Sequence, residues 1–112
     1  MSFWKTLDRL TAESEIVIDR PKGCTHPRFP DYVYPLDYGY LSGTSSMDGD
    51  GIDIWIGTEP EKGIVGVICT VDLDKRDSEI KILFGCTEEE ILLLEKDHNA
   101  TELMKGLLIR KT

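Results

Sequence analysis

Met47-Asp48-Gly49-Asp50-Gly51-Ile52-Asp53-Ile54-Trp55-Ile56 runs from an acidic turn straight into an alternating apolar stretch. Ile52, Ile54 and Ile56 alternate with Asp53, Trp55 and Gly57, the period-two signature of a strand. Asp48, Asp50 and Asp53 place three carboxylates within six residues at the mouth of that strand. So much negative charge on one short segment is unfavourable unless something positive sits between the acids. Asp offers oxygen ligands suited to hard divalent cations, and glycine lets the backbone fold tightly enough for neighbouring carboxylates to converge. The same residues also suit an ordinary acidic turn. An EF-hand is excluded, because the fifth and sixth places counted from Asp48 hold Ile52 and Asp53 rather than an oxygen ligand and a glycine.

Working outward, Ser2 is a helix cap for Phe3, Trp4, Leu7 and Leu10, whose apolar residues recur at helical spacing. Glu15-Ile16-Val17-Ile18-Asp19 reads as a strand. The four prolines and one glycine between Arg20 and Pro35 argue against long regular structure there, and Tyr34, Tyr38 and Tyr40 lead into a second strand ending near Gly43. Residues 64 to 73 form a nearly continuous apolar strand, in which Gly66 predicts a bend or bulge. A polar connection, Asp74-Lys75-Arg76-Asp77, joins it to another strand from Ile80 to Phe84. Thr87 before Glu88, Glu89 and Glu90 marks a helix N-terminus, with the acids matching the helix dipole. A final helix is expected from Asn99 or Thr101 through Leu103, Leu107, Leu108 and Ile109. Short strands with Gly/Pro-rich turns and helical ends predict a mainly β fold with flanking α-helices: a small, closed, five-stranded barrel, as one domain over 1–112.

Composition narrows the function. The 112 residues include 40% hydrophobic side chains, enough for one modest core. The formal net charge of -8 argues against a nucleic-acid groove, which needs a basic face. It does not argue against a small phosphate compound whose charge is offset by metal ions. Cys24, Cys69 and Cys86 are odd in number and lack metal-ligand spacing, so free thiols in a reducing cytoplasm are expected, with Cys69 buried in its apolar run. No apolar stretch reaches the roughly 18 residues of a membrane span, and the first residues lack a secretory pattern. A cytoplasmic protein without a membrane partner is the expectation.

A second acidic group adds to the first. Asp72 and Asp77 flank the connection between two strands, and Asp19 ends another. A hairpin there aims both acids at one mouth, although each alone also suits a solvated loop. Lys22, Arg28 and Lys81 are candidate phosphate ligands, Arg28 as a bidentate fork, and Tyr38 is a candidate phenolic donor. His26 reads as a turn residue rather than a base.

Three runs together, Val17-Ile18-Asp19-Arg20-Pro21, Tyr34-Pro35-Leu36-Asp37-Tyr38-Gly39-Tyr40 and Asp48-Gly49-Asp50-Gly51-Ile52-Asp53-Ile54, resemble the soluble family I inorganic pyrophosphatases. The family signature is D-G-D-P-hydrophobic-D-hydrophobic, preceded at ten residues by the tyrosine of Y-P-x-x-Y-G, and Tyr38 and Asp48 stand ten apart. Asp72 and Asp77 match the third acidic motif, D-x-x-x-x-D-x-K. Gly51 stands where the signature has proline, and Glu79 where it has lysine, with Lys81 two residues further on the same strand face. The chain also lacks the family's arginine-bearing hairpin between Pro30 and Tyr34, and a Tyr-Lys pair of the family's C-terminal portion is not matched, leaving Arg110 and Lys111 as the basic residues there.

The resemblance implies an OB-like five-stranded barrel and Mg²⁺-dependent hydrolysis of pyrophosphate, with Mn²⁺ as an alternative ion. It implies that Asp48, Asp53 and Asp77 hold a first metal, that Asp53 bridges to a second, and that Asp50 is the base for the attacking water. It further implies that Asp72, Asp77 and Asp19 (where the family has Glu) hold metals arriving with substrate, with Arg28 and Tyr38 on the phosphates. Two alternatives stay open: a phosphohydrolase for a larger diphosphate or phosphate ester, and a non-catalytic metal- or phosphate-binding module. A homo-oligomer is a further expectation, since an apolar last helix suits burial against a second copy.

Overall fold

The computed structural model describes residues 2–112; Met1, part of the expected domain, lies outside them. Six strands form one sheet: β1 Ile16–Arg20, β2 Asp37–Leu41, β3 Ile52–Ile56, β4 Ile64–Asp72, β5 Asp77–Phe84 and β6 Met104–Arg110. Their spatial order is β1-β2-β3-β5-β4-β6. All neighbours are antiparallel except β3 and β5, which run parallel, with Asp53 opposite Lys81 and Trp55 opposite Leu83. Two α-helices, α1 Phe3–Ala12 and α2 Glu88–Asp97, and a short 3₁₀ helix, Pro60–Lys62, complete the described residues.

Strand alternation explains how both helices are used. Ile54 and Ile82 point to one face of the sheet and cluster with Leu41 and Ile64, and Trp4 and Leu7 of α1 pack there. Trp55 and Leu83, the next residues along, point to the opposite face and cluster with Ile68, Ile91 and Leu94, the last two from α2. With both faces covered, β3 and β5 are the buried centre, and Ile54, Ile82 and Leu83 are fully inaccessible. On the α2 side the apolar residues fill only one end of the strands. At the other end the same alternation delivers Asp53, Lys81, Glu79 and Asp77.

The helix starts follow their sequence signals. Ser2 accepts the Lys5 N–H at 3.1 Å. Thr87 accepts the Glu90 N–H at 3.2 Å while the Glu90 carboxylate accepts the Thr87 N–H at 2.8 Å, a closed capping box. Thr87→Ala is therefore expected to cost about 1 kcal/mol in a urea melt. An unchanged midpoint would mean that packing against Trp55 and Leu83 holds this helix end without its cap. Gly66 also behaves as its position suggests, because the register between β4 and β5 shifts between Ile64 and Gly66.

Two expectations are corrected. The segment after Asn99 is not a helix but the edge strand β6, pairing with β4 from Gly66↔Arg110 to Asp72↔Met104. Gly106 is a poor helix residue, and a helix would leave the outer row of β4 backbone groups unpaired. Asn99 fixes the turn-back: its side chain exchanges two hydrogen bonds with the Gly106 backbone, at 3.0 and 3.1 Å. The sheet is accordingly six-stranded and open, with β1 and β6 as its edges; no pairing among the described residues closes it into a five-stranded barrel. Cys24, Cys69 and Cys86 are free thiols, but Cys86 is the buried one and Cys69 is half-buried. No described helix is long and apolar enough to cross a membrane.

Candidate active site

A cleft of about 880 Å³ opens over the α2-side face of the sheet. Its acidic wall includes Asp19, Asp48, Asp50, Asp53 and Asp72. Four elements or loops contribute these carboxylates, and the reason is topological. The acidic loop enters β3, the β4–β5 hairpin returns beside it, and β1 ends across β2 from both.

The register decides which acids meet. In β5, Asp77, Glu79 and Lys81 share one face because side chains alternate. Across β4, Asp77 pairs with Asp72 and Glu79 with Thr70. Across β3, Lys81 stands opposite Asp53. Ligand oxygens of Asp48, Asp77 and Glu79 lie within 4.8 Å of one another. Two unit charges that close repel by roughly 3 kcal/mol at an effective dielectric near 20, less where Asp48 opens to solvent. A cation at the centre reverses the sign of that interaction.

The neighbouring ammonium is fully engaged. Lys81 Nζ donates to Tyr38 OH at 2.7 Å and to Asp53 Oδ2 at 3.1 Å, and lies 3.4 Å from Glu79 Oε2. Burial, followed by the Asp53 charge, pushes the Tyr38 phenol well above its ordinary range, so it is a neutral hydroxyl at working pH. Burial likewise raises the Glu79 carboxyl, with hydrogen bonding toward Asp48 and Asp53 adding to it. Asp48 is shifted the other way, chiefly by hydrogen bonding with Glu79 and then by the Asp50 N–H. No N–H or hydroxyl donates to Glu79 Oε1 although the side chain is 4% exposed. A bare buried carboxylate oxygen facing two more acids fits a bound divalent cation, the group that the resemblance implies.

The loop carrying Asp48 and Asp50 is held by its own backbone. Asp48 Oδ1 accepts from the Asp50 N–H at 2.9 Å and from Ser46 Oγ at 2.8 Å, and the Asp50 carbonyl accepts the Ser46 N–H at 2.7 Å. Gly49 takes a φ of 86°, the left-handed conformation that a side chain disfavours. Asp72 does the same work in the hairpin, its Oδ1 accepting the Asp74 and Lys75 N–H groups, both at 3.0 Å.

Not every residue singled out in the sequence comes to the cleft. Asp19, Asp48, Asp50, Asp53, Asp72, Tyr38 and Lys81 line it, and Asp77 joins through the carboxylate cluster. Lys22 and Arg28 are exposed and outside its wall. The Lys22 N–H donates to Asp37 Oδ1 at 2.8 Å, and the Arg28 guanidinium lies 5.9 Å from the centre of the Phe29 ring. The lysines and arginines that do line the cleft are Arg20, Lys75 and Lys81. Arg20 arrives because the β1–β2 register shifts between Ile18 and Arg20. Lys75 sits on the hairpin turn, its Nζ 3.8 Å from Asp77 Oδ2 and 4.0 Å from Glu79 Oε1.

Beside the acids, further along the same strands, aromatic rings pack together. Tyr34 lies 5.6 Å from Tyr38 and 6.0 Å from Trp55, with His26 stacked on it at 6.3 Å. The Trp55 indole N–H is buried without a partner.

The family model described as Inorganic Pyrophosphatase matches residues 32–93, more than half of the chain. The match runs from before β2 to within α2, so it takes in Tyr38, Asp48, Asp50, Asp53, Asp72, Asp77 and Lys81 but not Asp19, Lys22 or Arg28. None of the curated proteins compared with the chain matches it.

Proposed function

The chain belongs to the inorganic pyrophosphatase family, and from that premise we propose that it hydrolyses pyrophosphate to two phosphates with Mg²⁺ as its cation. One observation carries the reading: the convergence of Asp48, Asp77 and Glu79 beside Asp53 and Lys81, at one end of a cleft that phosphate can enter. A divalent cation bound there supplies acidity to a coordinated water and neutralises charge on the phosphates. Mn²⁺ has the same oxygen preference and serves as an alternative.

The protein's own residues do the rest. Asp50 lies at the cleft edge without an ion-pair partner among the described residues, so its carboxylate is available to take a proton from the attacking water. The new P–O bond forms as the bridging P–O bond breaks, and the second phosphate leaves. Tyr38 and Lys81 place a neutral phenol and a fixed ammonium beside Asp53, and the positive charge of Lys81 attracts the phosphates. Arg20 and Lys75 supply the mobile positive charge that Lys22 and Arg28 were expected to bring. Asp72 and Asp19 extend the acidic wall toward metal ions that accompany substrate. Positioning and electrostatics of this kind account for most catalysis in phosphoryl transfer.

The cleft volume favours a second reading. It far exceeds what pyrophosphate fills, which leaves room for the organic group of a larger diphosphate. Phosphate release at neutral pH and millimolar Mg²⁺ separates the two. Pyrophosphate is expected to be turned over faster than nucleoside diphosphates or phosphate monoesters. The opposite ranking moves the function to the organic diphosphates, and no release from any of them leaves a binding module.

A further inference from the structure

The face of β5 distributes its charge unevenly. Lys81 occupies one side of Asp53, tied to Asp53 Oδ2 at 3.1 Å, Tyr38 OH at 2.7 Å and Glu79 Oε2 at 3.4 Å. It is nine-tenths buried, and these three contacts leave it little freedom to move away. A divalent cation approaching Asp53 from that side meets a fixed ammonium. On the other side of Glu79 the situation is reversed. Its Oε1 is buried and accepts no hydrogen bond, and the one cation near it, Lys75 at 4.0 Å, is 55% exposed and free to swing into solvent. Lys75 Nζ is also 3.8 Å from Asp77 Oδ2, and carboxylate oxygens of Asp48, Asp77 and Glu79 lie within 4.8 Å of one another. Asp48 completes the group, its Oδ1 anchored by the Asp50 N–H and Ser46 Oγ and its other oxygen left for a ligand.

We propose that Asp48, Asp77 and Glu79 form the resident divalent-cation site of this protein, while Lys81 stands as a built-in ammonium at Asp53 and takes the place of a second cation there. Glu79 thereby becomes a metal ligand at a position where the family signature has lysine. The exchange is internally consistent in charge: one strand position gains an acid, and a position two residues along the same face carries the ammonium. Three carboxylate ligands leave the remaining positions of a six-coordinate ion to water and substrate, which selects Mg²⁺ or Mn²⁺ over softer metals. The inference rests on the reading of this cleft as a metal-dependent phosphate site.

Mn²⁺ binding to the full chain without substrate, followed by calorimetry and by electron paramagnetic resonance of the free ion, tests it. The parent is expected to bind one Mn²⁺ per chain. Glu79→Gln, which preserves shape, is expected to weaken binding roughly tenfold or more, since cation affinity follows ligand charge. Lys81→Gln is expected to act in the opposite direction, by tightening the first Mn²⁺ several-fold or adding a second equivalent at Asp53. Circular dichroism and melting confirm that each variant is folded, and Glu89→Gln on the exposed side of α2 is the charge-matched control. Parent-like binding by folded Glu79→Gln, or weaker binding by folded Lys81→Gln, overturns the proposal. Failure of the hydrolytic reading is separable: Glu79-dependent Mn²⁺ binding in a chain that releases no phosphate keeps this site and removes only the activity. Rapid phosphate release with Glu79-independent Mn²⁺ binding does the reverse.

Discussion

Asp50→Asn is expected to lower the rate of phosphate release from pyrophosphate by about 10²–10⁴-fold, the range associated with losing a positioned general base. The substitution is suited to the question because side chain and loop are separable. Asp50 contributes to the loop through its backbone, its N–H going to Asp48 Oδ1 and its carbonyl accepting from Ser46, and Asn keeps both groups. The Asp50 side chain takes no part in the carboxylate group of Asp48, Asp77 and Glu79, so Mn²⁺ affinity should stay within about threefold of the parent. A fall in kcat with retained metal binding assigns Asp50 to proton transfer. A parallel fall in Mn²⁺ affinity makes it a ligand instead, and turnover within a few-fold of the parent removes it from the chemistry.

How far the site was legible in the sequence depended on whether neighbours along the chain are also neighbours in space. Asp48, Asp50 and Asp53 are close in both senses, and the alternation of β3 says directly that Asp53 and Trp55 share a face. The hairpin that returns Asp77 toward Asp72 was equally visible, because the polar connection is too short for anything else. Glu79 was present in the same pattern. Its period-two spacing from Asp77 and Lys81 puts it on the site face, yet standing where the signature has lysine it read as a bulge or a changed substrate rather than as a member of the acidic cluster. Arg20 carried no such signal, because its direction depends on a register shift against β2 that no local pattern encodes. Lys22 and Arg28 lie in the proline-rich stretch, where neither strand nor helix period fixes a direction, and they end outside the cleft wall. The last segment failed for a related reason. Leu103, Leu107, Leu108 and Ile109 satisfy a helix stripe and a strand equally, and only the unfilled edge of β4 decides between them. Sheet closure is likewise a property of the two edges, which meet or fail to meet through residues far apart in sequence.

Gly39→Ala is expected to be the most destabilising single methyl group in the molecule, costing at least about 3 kcal/mol, because neither partner can yield. A Cβ built on Gly39 falls 1.8 Å from the Val17 carbonyl oxygen, 2.8 Å from its carbon and 2.9 Å from Ile18 Cα. All three are backbone atoms of β1, so no side-chain rotation relieves the overlap, and β1 has to move off β2. Gly39 pairs with Ile18 at the point where the register shifts and Arg20 is turned toward the cleft. The glycine between Tyr38 and Tyr40 is thus required by the close approach of β1, and it is this approach that brings Asp19 and Arg20 to the site. Gly43→Ala provides the comparison. Its φ of 80° disfavours any side chain, but a Cβ there meets nothing within 4 Å, so only the conformational cost of about 1 kcal/mol is expected. Urea melts of the two variants separate steric from conformational loss. A Gly39→Ala midpoint well below that of Gly43→Ala, with phosphate release falling alongside it, ties the packing of β1 to the chemistry across the sheet. Equal midpoints would show that β1 slides freely on β2, and the positioning of Arg20 would then need another cause.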